Sequence, residues 1–219
     1  MDLAAGVAVR VAALCLDADG RPSGRRLIET ALRGGLLLDL ALAGRVESTE
    51  DSIVVDHTPT GFFPADRLLA AIAVEPERSL DGWLDERRIG FRDVADAAVH
   101  AGRWRVTRRP FRPGRRYLDL APEQTARDAE PNLTAPNDLS PVDAAVAAVA
   151  LGAELIRPPS AFPTDKQDQS FVGGVPGFLL ARVAGARWMA EAVVEHLAEA
   201  AARDEWTASV LRTGGTGPF

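Results

Sequence analysis

The stretch Ala31-Leu32-Arg33-Gly34-Gly35-Leu36-Leu37-Leu38-Asp39-Leu40-Ala41-Leu42-Ala43-Gly44-Arg45 decides how this chain folds. With Leu27 and Ile28 ahead of it, apolar residues return every three or four positions through Ala31, Leu32, Leu36, Leu40 and Ala41. That period predicts a helix over 25–43, with Gly44 as its stop. Gly34-Gly35 in the middle costs roughly 1 kcal/mol per glycine relative to alanine. Close packing of another backbone, or access of a ligand to this one, has to compensate.

On the N-terminal side, Leu3, Val7, Val11, Leu14 and Cys15 fall at helical spacing, although Val7, Val9 and Val11 also alternate like a strand. Asp17 to Gly24 is a turn and loop. Its acids and glycine suggest a calcium loop, but the remaining ligand ladder is missing, so loop is preferred.

On the C-terminal side, Val46 and Ile53-Val54-Val55 flank a polar tip at 48–51 and predict a hairpin. A helix over 65–74 follows Pro59-Thr60-Gly61. Ser79 caps a short helix carrying Trp83, and 88–101 reads as a helix ended by Gly102. Trp104 to Thr107 and Tyr117 to Leu120 form a second hairpin, and Pro122-Glu123 begins a short helix. Ser140-Pro141-Val142-Asp143 has the cap, N1 proline and N3 acid of a helix start, and the run to Ile156 is apolar nearly all round. Residues 158–177 read as an irregular connection, mobile and rich in proline and glycine, and 178–203 as one long helix. The expected fold is therefore mainly α: a single globular helical domain over 1–205, with a central apolar helix bundle and two β-hairpins, and a frayed tail over 206–219.

The 219 residues are 47% hydrophobic and 26% charged, enough for one sizeable core. Cys15 is the only cysteine, so no disulfide scaffold is available and a reducing cytoplasm is expected. There is no basic leader with a cleavage site and no apolar window long enough to span a bilayer, so the expectation is a soluble or peripheral protein. Lys166 is the single lysine, a bias that suggests a high-GC bacterial source. His57, His100 and His196 are isolated in sequence and read as surface or capping residues. No phosphate-cradling glycine loop, paired-cysteine motif, His-Glu-x-x-His or Gly-x-Ser-x-Gly is present. No catalytic residue, metal or cofactor is expected, and the chain is not read as an enzyme.

Charge supplies the functional signal. Between Arg87 and Arg116 lie ten arginines and two acids, in a chain whose net charge is -6. A surface laced with salt bridges would alternate sign, as 67–78 does with Arg67, Glu75, Glu77 and Arg78. A basic island on an acidic molecule calls for an anionic partner presented locally, such as a lipid headgroup, a phosphate or a nucleic-acid backbone.

Three patterns resemble the Golgi phosphoprotein 3 family of phosphatidylinositol 4-phosphate-binding adaptor domains, which has bacterial members. They are the 31–45 stretch; Thr58-Pro59-Thr60-Gly61 with Asp66, Leu69 and the Trp83 helix; and a helix ending in Gly102 before a hairpin. The resemblance runs from about Leu3 to Ile156 and weakens after Pro158. It implies a helical bundle that binds the headgroup at the membrane surface. A pocket arginine of the family looks like Arg33. Two further pocket arginines fall by register from Gly102 at Arg88 and at Phe91. Either the register shifts by one to Arg92 or that ligand is lost. A tryptophan flanking the family's pocket falls at Gly24.

The family's membrane-inserting apolar tip corresponds here to Arg108, Arg109, Phe111, Arg112, Arg115 and Arg116, which favours electrostatic adsorption over insertion. The resemblance thus implies a cytoplasmic, peripherally membrane-associated lipid-binding or adaptor protein. Its headgroup site would be Arg33, Arg88 and Arg92, and any protein cargo is open. On the residues alone, Arg33 is equally a helix-surface arginine or a partner of Asp39 or Glu29. The alternative function is a winged-helix-like nucleic-acid-binding or regulatory protein whose wing is the basic hairpin. A pI near 5.2 and the lack of a basic recognition helix weigh against it.

Overall fold

The computed structural model describes residues 1–23, 27–49, 53–86, 88–107, 115–119, 131–133, 135, 138–158 and 170–213, with 207–213 as backbone alone. The expected short helix at 122, Gly24, the tip residues Arg108, Arg109, Phe111 and Arg112, and the end of the tail lie outside the described residues.

Helix α1 (Val7–Leu14) leads to α2 (Ile28–Leu42), and strands β1 (Val46–Ser48) and β2 (Ile53–Val55) pair antiparallel with Val46 opposite Val55. Then come α3 (Phe63–Val74), α4 (Leu80–Leu84) and α5 (Phe91–His100). Strands β3 (Trp104–Thr107) and β4 (Arg116–Asp119) form the second antiparallel hairpin, with Val106 opposite Tyr117. Helix α6 (Pro141–Gly152), a small hairpin of β5 (Phe171–Val172) and β6 (Val175–Pro176), and helices α7 (Gly177–Arg182) and α8 (Arg187–Thr213) follow among the described residues. The fold is mainly α.

Helix α2 is the axis of the molecule. It packs against α1, α3, α4, α5, α6 and α8, and Ile28 and Ala31 through Leu40 are all buried. The glycine pair makes this possible. A Cβ on Gly35 would stand 2.9 Å from Ala8 Cα, and one on Gly34 would stand 2.5 Å from Val193 Cγ1. So α1 and α8 approach α2 closely at two successive positions, which is the compensation that the sequence demands.

Asp39, one turn further on, solves a different problem. The N-cap of helix α1 is Gly6, which has no side chain to satisfy the first free N–H groups. Asp39 accepts them instead: Val7 N donates to Oδ1 at 2.7 Å and Ala8 N to Oδ2 at 3.0 Å. Burial pushes this carboxyl up to about 7, against the pull of the two N–H groups.

The start of α6 is as the sequence predicts. Ser140 Oγ accepts from Asp143 N at 3.2 Å, and Asp143 Oδ2 accepts from Ser140 N at 3.2 Å. Arg10 Nη1 adds a 2.6 Å bond to Asp143 Oδ1, tying α1 to α6. Burial raises the Asp143 carboxyl, but Ser140 and Arg10 outweigh it and hold it low.

Three expectations are corrected. The helix expected over 88–101 begins at Phe91, because Gly90 is its N-cap and Asp93 Oδ2 accepts from Gly90 N at 3.0 Å; Arg88 therefore lies in a loop. The single helix over 178–203 is two, α7 and α8, separated by a 3-10 turn at Ala184–Ala186 where Ala184 takes φ 55°. The break lets Leu179 and Leu180 on one helix and Met189 and Val193 on the other all be buried. The connection over 158–177 ends in the β5–β6 hairpin, turned by Gly173 and Gly174 at φ 54° and 77°. Only glycine fits at 173, where a Cβ would stand 2.3 Å from Val194 O.

Candidate functional site

The loop from Asp85 to Gly90, between α4 and α5, carries Arg88 and leads into Arg92. Helix α2 holds this loop from beneath. The Arg33 guanidinium donates through Nε to Leu84 O, through Nη1 to Ile89 O at 3.3 Å and through Nη2 to Thr30 Oγ1 at 3.2 Å. Glu29 Oε2 accepts from Phe91 N at 2.8 Å. One turn of α2 thus fixes both ends of the loop. Arg33 itself is only 6% exposed, so its visible role is to span two main-chain carbonyls with its planar fork. Its partner is neither Asp39 nor Glu29 in these bonds.

The middle of the loop is held from two further sides. Glu86 Oε1 accepts from Arg88 N at 3.0 Å and Oε2 from Arg78 Nη1 at 2.9 Å, interactions that hold its carboxyl below the usual value, the Arg88 amide first. Arg67 of α3 donates to Arg88 O at 3.0 Å and to Asp93 Oδ1 at 2.8 Å. The Arg88 main chain is therefore fixed while its side chain, 86% exposed, has its nearest carboxylate oxygen, Glu86 Oε1, at 3.9 Å. Arg92 is 72% exposed and lies 3.6 Å from Asp96 Oδ2. Exposed pairs at such distances are worth little, so both guanidiniums keep their charge available.

Asp96 joins this loop to the basic hairpin. Arg115 Nη1 donates to both its oxygens, at 2.8 and 2.9 Å, and Tyr117 OH lies 3.3 Å from Oδ1. Arg92 of α5 and Arg115 of the hairpin therefore meet at one carboxylate. The hairpin root is anchored by Tyr117, whose ring meets Phe91 edge-on at 5.7 Å and whose N donates to Gly20 O at 2.8 Å. Arg116 departs from the expected pattern. It is 8% exposed, with Nη1 3.5 Å from Asp19 Oδ1, so it belongs to the root and not to an outer face.

His196 also differs from its sequence reading as a surface or capping residue. It is 3% exposed, with Nδ1 3.0 Å from Asp81 Oδ1 and Nε2 3.2 Å from Asp85 Oδ1, and so ties α8 to α4 just before the loop. Among the described residues no cluster of three His, Cys, Asp or Glu side chains could hold a metal, and no helix is long and apolar enough to cross a membrane.

Sequence reasoning missed Glu86, Arg67 and Asp96. The spacing of Arg92 and Asp96 is an i, i+4 pair that could have revealed one of them. Glu86 acts within its own loop, on Arg88 N two residues on, and on Arg78, whereas Arg67 reaches Arg88 O and Asp93 from another helix, a contact that spacing does not signal.

The helical core, the glycine pair of α2 and the α5-to-hairpin order form a recognisable whole. The family model for Golgi phosphoprotein 3 (GPP34) matches residues 10–213, nearly the entire sequence, and the chain belongs to that family. A search of curated proteins gave no match.

Proposed function

We propose that this protein is a non-catalytic, cytoplasmic lipid-binding module or adaptor that attaches peripherally to membranes by recognising an anionic, phosphorylated headgroup. By family resemblance that headgroup is phosphatidylinositol 4-phosphate. Arg88 and Arg92 supply the outward charge, and Arg33 acts by holding the loop that presents them. Arg115, with Arg108, Arg109, Phe111 and Arg112 of the hairpin, supplies the contact with the leaflet; Arg116 steadies its root. The observation that supports this reading is the shared Asp96 carboxylate, which both Arg92 of α5 and Arg115 at the root of the hairpin approach.

The chemistry suits the task. Arginine gives bidentate bonds to phosphate oxygens, and near an anionic leaflet each is worth about 1 kcal/mol. A main chain already pinned by Glu86 and Arg67 pays little ordering entropy when a phosphate arrives.

Vesicle flotation tests the reading. The protein should float with phosphatidylinositol 4-phosphate vesicles, less with phosphatidylserine vesicles, and not with neutral phosphatidylcholine. Equal failure to bind all three would refute it.

A further inference from the structure

A cavity of about 360 Å³ lies among the β1–β2 hairpin, the end of α3 and α4, apart from the arginines of the proposed headgroup site. Its lining is aliphatic and aromatic, with Leu37, Ile53, Ile72, Leu80 and Trp83 prominent. Leu37 and Trp83 are buried, whereas Ile53 is 51% exposed and Ala73 is exposed, so the space runs from the core to the surface. A recess lined mainly by apolar side chains with a few polar groups is the usual form of a small-molecule site.

The polar groups lining it are Arg78 and His57. The Arg78 guanidinium lies over the Trp83 ring, 4.6 Å from its centroid. Its partners are unequal: Nη2 donates to Gly82 O at 2.6 Å and Nη1 to Glu86, 13% exposed, at 2.9 Å, whereas the second contact of Nη1, with Glu75 at 3.4 Å, is to a carboxylate 58% exposed. The Glu75 contact is weak and solvated, so an incoming anion can replace it at little cost. Apart from Arg78, His57 and the indole N–H of Trp83, the lining side chains are apolar and favour methylene groups, each worth about 0.8 kcal/mol when buried.

We infer that this cavity binds an aliphatic chain ending in an anion, with the chain against Leu37, Ile72 and Trp83 and the anion on Arg78 in place of Glu75. The chemistry is shared by a free fatty acid and by an anionic lysophospholipid. The site goes beyond the headgroup reading and does not depend on it.

The test is fluorescence titration of the full chain with dansyl-undecanoic acid in lipid-free buffer, followed by displacement with laurate, with lauroyl lysophosphatidate and with dodecanol. Saturable binding of one probe per chain is expected. Displacement by laurate alone names the free acid as the source, and displacement by lysophosphatidate alone names the lysolipid. Ala73→Trp, an exposed position at the cavity, should weaken binding about tenfold or more. Arg78→Gln should weaken the anionic competitors while leaving dodecanol unchanged. The variant with Arg88→Glu and Arg92→Glu should bind the probe normally, which separates this site from the headgroup site. No saturable binding, displacement by neither anion, or unchanged affinity in Ala73→Trp would overturn the inference.

Discussion

Arg33 shows what a single residue can and cannot reveal. Its presence in a Leu-Arg-Gly stretch makes it a candidate for anion binding, yet its hydrogen bonds go to Leu84 O, Ile89 O and Thr30 Oγ1. Those partners sit 51 and 56 residues away for the two carbonyls, beyond any pattern that spacing can show. Arg33→Leu should cost about 1.5 to 3 kcal/mol per charged bond lost, read by urea unfolding, and should speed hydrogen exchange at Phe91 N. Arg33→Lys should recover only part of this, because an ammonium cannot span two carbonyls as a planar fork does. Full recovery in the lysine variant would contradict the two-carbonyl role.

Asp39 is the second residue whose work is invisible in sequence, since it caps a helix 31 and 32 positions away. Its folded carboxyl titrates at about 7, above the ordinary 3.8, so the folded state holds the proton more tightly than the unfolded one. The stability it contributes is complete below about pH 4 and is lost as pH rises through 7. Asp39→Asn does not titrate and leaves one N–H facing an amide donor. The stability difference between wild type and Asp39→Asn should therefore shrink from pH 4 to 7 in urea titrations. A difference independent of pH would contradict the assigned state of Asp39.

Among the elements, the legible ones are those whose signals are local. The α6 cap, the Ser79 cap of α4 and the Gly44 stop of α2 all lie within four residues of what they control. The glycine pair was legible as a demand for close packing but not as a demand by Ala8 and Val193. Gly35→Ala places a Cβ 2.9 Å from Ala8 Cα, and overpacking of this kind should cost about 1 to 3 kcal/mol. Thermal unfolding would register it as a lower Tm; an unchanged Tm would mean that α1 can withdraw without loss. The break between α7 and α8 was not legible, because Ala184 has no intrinsic preference for φ 55° and takes it only to bury both flanking helices. His196 likewise looked isolated, since Asp81 and Asp85 lie more than a hundred residues before it.

At the scale of the molecule, an acidic chain concentrates ten of its arginines between 87 and 116, and the fold brings Arg92 of α5 and Arg115 of the hairpin to one carboxylate, with Arg88 in the loop just before α5. The charge island was fully legible; its division into outward Arg88 and Arg92, shared Arg115 and buried Arg116 required the packing. Attraction between such a patch and a charged leaflet is screened over about 8 Å at physiological ionic strength. Vesicle binding should accordingly fall steeply as sodium chloride rises, with a shallower fall if apolar insertion dominates.

The most direct measurement is the affinity of the Arg88→Glu and Arg92→Glu double variant for phosphatidylinositol 4-phosphate vesicles, alongside its unfolding curve. The proposed role of these arginines predicts loss of vesicle binding with stability within about 0.5 kcal/mol of wild type, as for exposed substitutions generally. Undiminished vesicle binding by the folded double variant would contradict it.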